Sequence, residues 1–120
     1  MSPADSADTP GTDARVFVVD AIDVRPGQVG TVRAAYLASY APGACTRGMT
    51  LVHDWISPPL LIEERGQRLT FVWSVDGTPG WWQMRLTASF DPEVKAFWDS
   101  LLPLIEGRER SFHETAVRHV

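Results

Sequence analysis

At 120 residues the chain is long enough for one domain with a small core. Its net charge is −4 and it has no run of Lys or Arg, which excludes a nucleic-acid surface built on a clustered basic footprint. No apolar stretch approaches the ~20 residues needed to span a bilayer, and one cysteine, Cys45, can close neither a disulfide nor a zinc site by itself, so a cytoplasmic protein without metal is expected.

Residues 1–14 are small and polar with nothing to bury, and they read as a disordered tail without the basic and apolar parts of a signal peptide. A single domain is expected over 15–120. The run Val16–Val24 is β-branched and of strand length. Val16, Val18, Asp20, Ile22 and Val24 lie on one face, Phe17, Val19, Ala21 and Asp23 on the other. Both faces carry apolar residues, so both are expected to be covered. Arg25-Pro26-Gly27 breaks the strand, and Pro26 suits a helix start. A helix follows to Ala41, with Val29, Val32, Tyr36 and Tyr40 at three- and four-residue steps, and Pro42-Gly43 ends it.

Met49–Ile56 alternates as a second strand, which puts Met49, Leu51, His53 and Trp55 on one face and Asp54 on the other. Ser57-Pro58-Pro59 stops it, because proline cannot donate to a ladder. Arg68–Val75 is a third strand, with Leu69, Phe71, Trp73 and Val75 on one face. After the Asp76-Gly77 turn, Thr78-Pro79 looks like a cap, and Trp82, Leu86 and Phe90 form one apolar stripe. Asp91-Pro92-Glu93 restarts a helix, and Val94, Phe97, Trp98, Leu101, Leu102 and Ile105 give it an apolar face. Pro103 kinks or ends it. A last strand is expected over Ser111–Val117.

The order is β-α-β-β-α-β, a ferredoxin-like α+β fold with a four-stranded antiparallel sheet and helices on one face. The other face would be bare in a monomer, yet the strands carry large apolar residues on both sides. A homodimer whose two sheets cover each other's open faces is the simplest repair.

With these elements placed, the sequence resembles the dimeric α+β barrel superfamily, and within it NIPSNAP-like domains. The resemblance covers roughly residues 15–117. It rests on the element order, on VRPGQVGTVRAAYLASY after the first strand, on the tryptophan-bearing strands, on DPEVKAFWDSL in the last helix, and on RERSFHE entering the last strand. It implies a pocket between sheet and helices. It also implies a function among cofactor-independent monooxygenases, polyketide cyclases, haem-degrading enzymes and domains without known activity. No catalytic set is shared across the superfamily, so no role transfers by position.

The residues themselves offer one acid–base candidate. His53 stands among apolar neighbours, and histidine is the side chain that titrates near neutrality, so it is the expected general acid or base. The competing role is a hydrogen-bonded core or interface histidine. Tyr36, Tyr40, Trp55, Trp73 and Trp82 are candidate walls for a hydrophobic, flat substrate; core packing and a dimer interface use the same residue types. Arg85, four residues after Trp81, is a candidate anion anchor. Asp54 is expected to meet an arginine such as Arg85 or Arg47. Asp20, flanked by Val18 and Ile22, calls for a raised pKa or a cationic partner if it is buried, and a surface place at the end of the strand is the equal expectation. The three histidines, at 53, 113 and 119, lack metal-site spacing, and no organic cofactor motif is present. The expected function is a small-molecule enzyme working by acid–base chemistry. The alternative is a non-catalytic binding or dimerisation domain.

Overall fold

The computed structural model describes residues 15–60, 64–76 and 91–116. Four strands, β1 (Arg15–Val24), β2 (Thr50–Ser57), β3 (Gln67–Asp76) and β4 (Ile105–Glu114), form one antiparallel sheet in the order β2-β3-β1-β4. The helical elements are α1 (Val29–Ala35), a π-helical turn (Tyr36–Tyr40), α2 (Ala41–Thr46) and α3 (Pro92–Leu101). This is the expected ferredoxin-like α+β arrangement.

The two central strands explain the apolar character of both sheet faces. Val18, Asp20, Ile22 and Val24 of β1 and Leu69, Phe71, Trp73 and Val75 of β3 are all buried on the helix side. They pack against Val32, Tyr36, Tyr40 and Ala44 from the first helical stretch and Phe97, Trp98 and Leu101 from α3. Burial of each large side chain supplies about 1.5–3 kcal/mol, and it is this layer that pins both helices to the sheet. On the open side Phe17, Val19 and Ala21 are half-buried beside Val72.

Three features differ from the sequence reading. The first helix does not end at Pro42-Gly43. The π turn comes first, and Pro42 falls in the opening turn of α2, where a missing N–H is tolerated. The helix then ends at Thr46, with Gly48 in the left-handed region (φ 92°) and the Met49 N–H donating to the Ala44 carbonyl at 3.1 Å. Second, α3 closes at Leu101 and Leu102–Leu104 tightens to a 3-10 turn at Pro103, so the last strand begins at Ile105, six residues earlier than Ser111.

The third difference matters most for function. Leu51 pairs with Trp73, but His53 pairs with Val72, so Val52 is an extra residue in β2. The bulge reverses the alternation. Met49 is buried and Leu51 lies in the helix-side register, whereas His53 and Trp55 lie opposite Val72 and Thr70 on the open side. Asp54, opposite Phe71, moves to the helix side, where Arg33 Nε donates to its two oxygens at 3.2 and 3.0 Å. Among the described residues its partner is thus Arg33 of α1 and not Arg47, while Arg85 lies outside the described residues.

Among the described residues no helix is long and apolar enough to cross a membrane. The expected stripe Trp82, Leu86 and Phe90, together with Arg85 and the tail 1–14, lies outside the described residues.

Candidate functional site

Polar groups converge at one place in the helix–sheet interior. Asp20, in the middle of β1, is 2% exposed. Arg110, paired with it across β4, donates from Nε to Asp20 Oδ1 at 2.6 Å and from Nη2 to Oδ2 at 2.8 Å. This is the two-pronged geometry in which guanidinium and carboxylate match best. From the helix above, the Tyr36 hydroxyl donates to Asp20 Oδ2 at 2.6 Å and accepts from Trp73 Nε1 at 2.7 Å. One turn further on, the Tyr40 hydroxyl accepts from Arg110 Nη2 at 2.6 Å.

Elementary geometry produces the cluster. Asp20 falls between Val18 and Ile22 on the covered face because side chains alternate along a strand. Arg110 reaches it because β4 pairs antiparallel with β1 in a register that puts the two opposite one another. Tyr36 and Tyr40 lie on the same side of the π turn, their rings 4.9 Å apart. Tyr36 stacks on Phe71 (3.7 Å between centroids), and Phe97 and Trp98 meet it edge-on. Arg108, two residues before Arg110, lies 3.8 Å over the Trp98 ring.

The electrostatics follow from burial and partners. Burial raises the pKa of Tyr36, and the Asp20 charge and hydrogen bond raise it further. Burial opposes the charged form of Arg110, but the hydrogen bonds and charge of Asp20 outweigh that effect and hold it above its ordinary value. Arg108 lies below its ordinary value, from burial first and then from repulsion by Arg110.

The Tyr36 shift has a measurable consequence. Its folded-state pKa lies above the ordinary 10.0, so the neutral phenol is what the fold accepts. Below pH 10 the stabilisation is complete; above it the unfolded chain loses the proton first. Stability should therefore fall by about 1.4 kcal/mol per pH unit above pH 10 from this residue. Urea unfolding at several alkaline pH values checks it. Tyr36→Phe should lack this component of the slope, and an unchanged slope would contradict the burial argument.

The expected site residues separate into two groups. Tyr36, Tyr40 and Trp73 come together in the interior around Asp20 and Arg110. His53 and Trp55 stand on the open face, exposed, their rings stacked 4.5 Å apart. Trp82 and Arg85 lie outside the described residues. Arg110 was not singled out from the sequence, though a signal was there: in RERSF, Arg108, Arg110 and Phe112 alternate onto one face, and a cation on a buried face pairs with a carboxylate such as Asp20. Among the described residues no group of three or more His, Cys, Asp or Glu side chains is arranged to hold a metal ion.

A cavity of about 160 Å3 opens beside this cluster, where the end of the first helical stretch meets the start of α3. Tyr40, Arg47, Asp91, Val94 and Phe97 are among its lining residues.

Fold and interior together define a ferredoxin-like α+β domain with a charged, hydrogen-bonded centre between sheet and helices. No protein-family model and no curated protein matches the chain. Solved structures do. A NIPSNAP domain protein from Burkholderia xenovorans superposes with a TM-score of 0.62 at 19% identity, over 82% of this chain and 91% of the other. A NIPSNAP family protein of unknown function from Agrobacterium tumefaciens gives 0.65 at 14% identity, over 84% and 87%. A presumed antibiotic biosynthesis monooxygenase from Caulobacter crescentus gives 0.58 at 11% identity, over 92% and 97%. The chain shares its fold with NIPSNAP domain proteins and with this monooxygenase-type protein.

Proposed function

We propose that this chain is a small-molecule enzyme of the dimeric α+β barrel type. It takes a hydrophobic, aromatic or polyketide-like substrate between sheet and helices and works by acid–base chemistry of its own side chains. The observation that carries this reading is the Tyr40 hydroxyl. It accepts a hydrogen bond from Arg110, Tyr40 is among the residues lining the cavity, and its own O–H has no acceptor among the described residues. A hydroxyl that accepts from a guanidinium is polarised as a donor. It is therefore suited to a carbonyl or phenolate oxygen on which negative charge grows. In this reading Tyr40 is the donor to substrate, and Arg110 and Asp20 position it. Tyr36, Trp73 and Phe97 form the apolar wall. A second copy covers the open face, which brings His53 and Trp55 to the boundary between two protomers; His53 then serves that boundary or an acid–base step reached from it.

The second reading, a non-catalytic binding or dimerisation domain, has its own observation. Tyr36 meets Phe71, Phe97, Trp98, Trp73 and Tyr40 in an interdigitated cluster, as a packing module would have it. Calorimetric titration with 4-methylphenol separates the two. The enzyme reading expects saturable binding that weakens at least tenfold in Tyr40→Phe, a variant that keeps the ring and should lose only about 0.5–1.5 kcal/mol of stability. Absence of binding by the unaltered protein favours the packing module.

A further inference from the structure

A second cavity, of about 540 Å3, opens at the end of the sheet where β1 and β2 finish and β3 and β4 start. It shares no described lining residue with the cavity beside Tyr40, and its volume falls within the range of small-ligand pockets, about 300–1,000 Å3. Two irregularities of the chain shape its wall. Asp23 pairs with Gly107 and Val24 with Ile105, so Glu106 is an extra residue in β4. A bulge of this kind breaks the alternation and re-aims a side chain. Gly66, just before β3, passes so close to the end of β1 that a Cβ there would stand 2.8 Å from the Val24 carbonyl oxygen and 3.1 Å from Glu106 Oε1. The Glu106 carboxylate therefore lies against the Gly66 backbone, and both residues line the cavity. Gln67, 6% exposed, ties the chain that follows β2 to the start of β3: its Nε2 donates to the Pro58 and Leu60 carbonyls at 3.1 and 2.9 Å.

The described lining residues include two cations and two anions. Arg68 and Asp23 satisfy each other, with Arg68 Nε and Nη2 donating to the two carboxylate oxygens at 2.9 and 3.1 Å. Arg65 and Glu106 are different. Both are exposed, and neither side chain has an ion pair or hydrogen bond with another described residue. An unpaired cation and an unpaired anion in one cavity select by sign. An anion is opposed by Glu106 and a cation by Arg65, whereas a neutral molecule that carries both charges on separate atoms can meet each with its opposite. Val24 is the one aliphatic side chain among the described lining residues, and Ser57 adds a hydroxyl, so the rest of the ligand is polar.

We propose that this cavity binds a free α-amino acid with a polar side chain, Arg65 taking its carboxylate and Glu106 its ammonium group. Such a molecule presents its two charges side by side on one carbon. The wall presents their opposites in the same way, since Arg65 is the neighbour of Gly66 and the Glu106 carboxylate lies against Gly66. Guanidinium suits the carboxylate end because it can offer two parallel donors to two oxygens. The site is separate from the Tyr40 centre and does not depend on the chemistry proposed there.

The test is NMR titration of the isotope-labelled full chain, read at the Gly66 amide. The probes are L-glutamine, N-acetyl-L-glutamine, which lacks the ammonium group, and L-glutaminamide, which lacks the carboxylate. L-glutamine is expected to bind about tenfold more tightly than either, because each analogue loses one attraction and keeps one repulsion. Glu106→Gln should remove its preference over N-acetyl-L-glutamine, and Arg65→Gln its preference over L-glutaminamide. Both side chains are exposed, so both variants should fold as the unaltered protein does. Neither variant should change the binding of 4-methylphenol, which separates this site from the one at Tyr40. Equal binding of the three probes, either preference surviving its own variant, or a Gly66 amide that does not respond to L-glutamine overturns the proposal.

Discussion

Arg110→Ala is expected to lower stability by about 3–5 kcal/mol, because it leaves the Asp20 carboxylate buried without its counter-ion. Asp20 is 2% exposed, and after the substitution only the Tyr36 hydroxyl, among the described side chains, would still donate to it. Asp20→Ala should cost less, near the low end of the same range, since the Arg110 side chain remains 22% exposed and can recover some hydration. That asymmetry is a stronger test than either value alone. Replacing both together, Asp20→Leu with Arg110→Met, should recover much of the loss, because well-packed apolar pairs often match buried ion pairs in stability. Urea unfolding of the four proteins measures all three differences. A loss below about 1 kcal/mol in Arg110→Ala would mean that water reaches Asp20.

Tyr36→Ala carries the second large effect, about 3–5 kcal/mol, the usual cost of emptying a ring-sized site in a core. Its ring lies between Phe71 of the sheet and Phe97 and Trp98 of α3, so its loss loosens both layers at once. Tyr36→Phe apportions the effect between ring and hydroxyl. The ring is kept, but the Trp73 N–H loses its acceptor and Asp20 loses a donor, an expected cost of about 1–3 kcal/mol. Thermal melts with both variants give the split. If Tyr36→Phe were as damaging as Tyr36→Ala, the hydroxyl network would be the dominant contribution, and the stacked rings would count for little.

The same two residues show how unevenly the site could be read. Tyr36 and Tyr40 declare a shared helix side by their spacing, and they are indeed together. Asp20 announces a question, a carboxylate between Val18 and Ile22, without its answer. The answer, Arg110, is 90 residues away, and nothing local to either residue selects the other. His53 failed to join the interior for a different reason. One extra residue, Val52, is invisible to a count of alternating positions, yet it turns every later side chain of β2 to the opposite face. Arg47 read as a loop arginine, yet its side chain is only 4% exposed, because burial at a helix end depends on what packs there and not on the local sequence.

By itself the chain determined the element order, the two faces of β1 and β3, the apolar faces of the helices, and hence the ferredoxin-like α+β class. These rest on local periodicities of two and about 3.6 residues, which the backbone geometry of strand and helix imposes wherever the chain folds. Tertiary structure decided what sits opposite what. The β1–β4 register joined Asp20 to Arg110, and the bulge moved His53 and Trp55 to the open face. Such pairings depend on strand register and helix docking, which are set by the summed packing of the whole domain rather than by any one stretch of sequence.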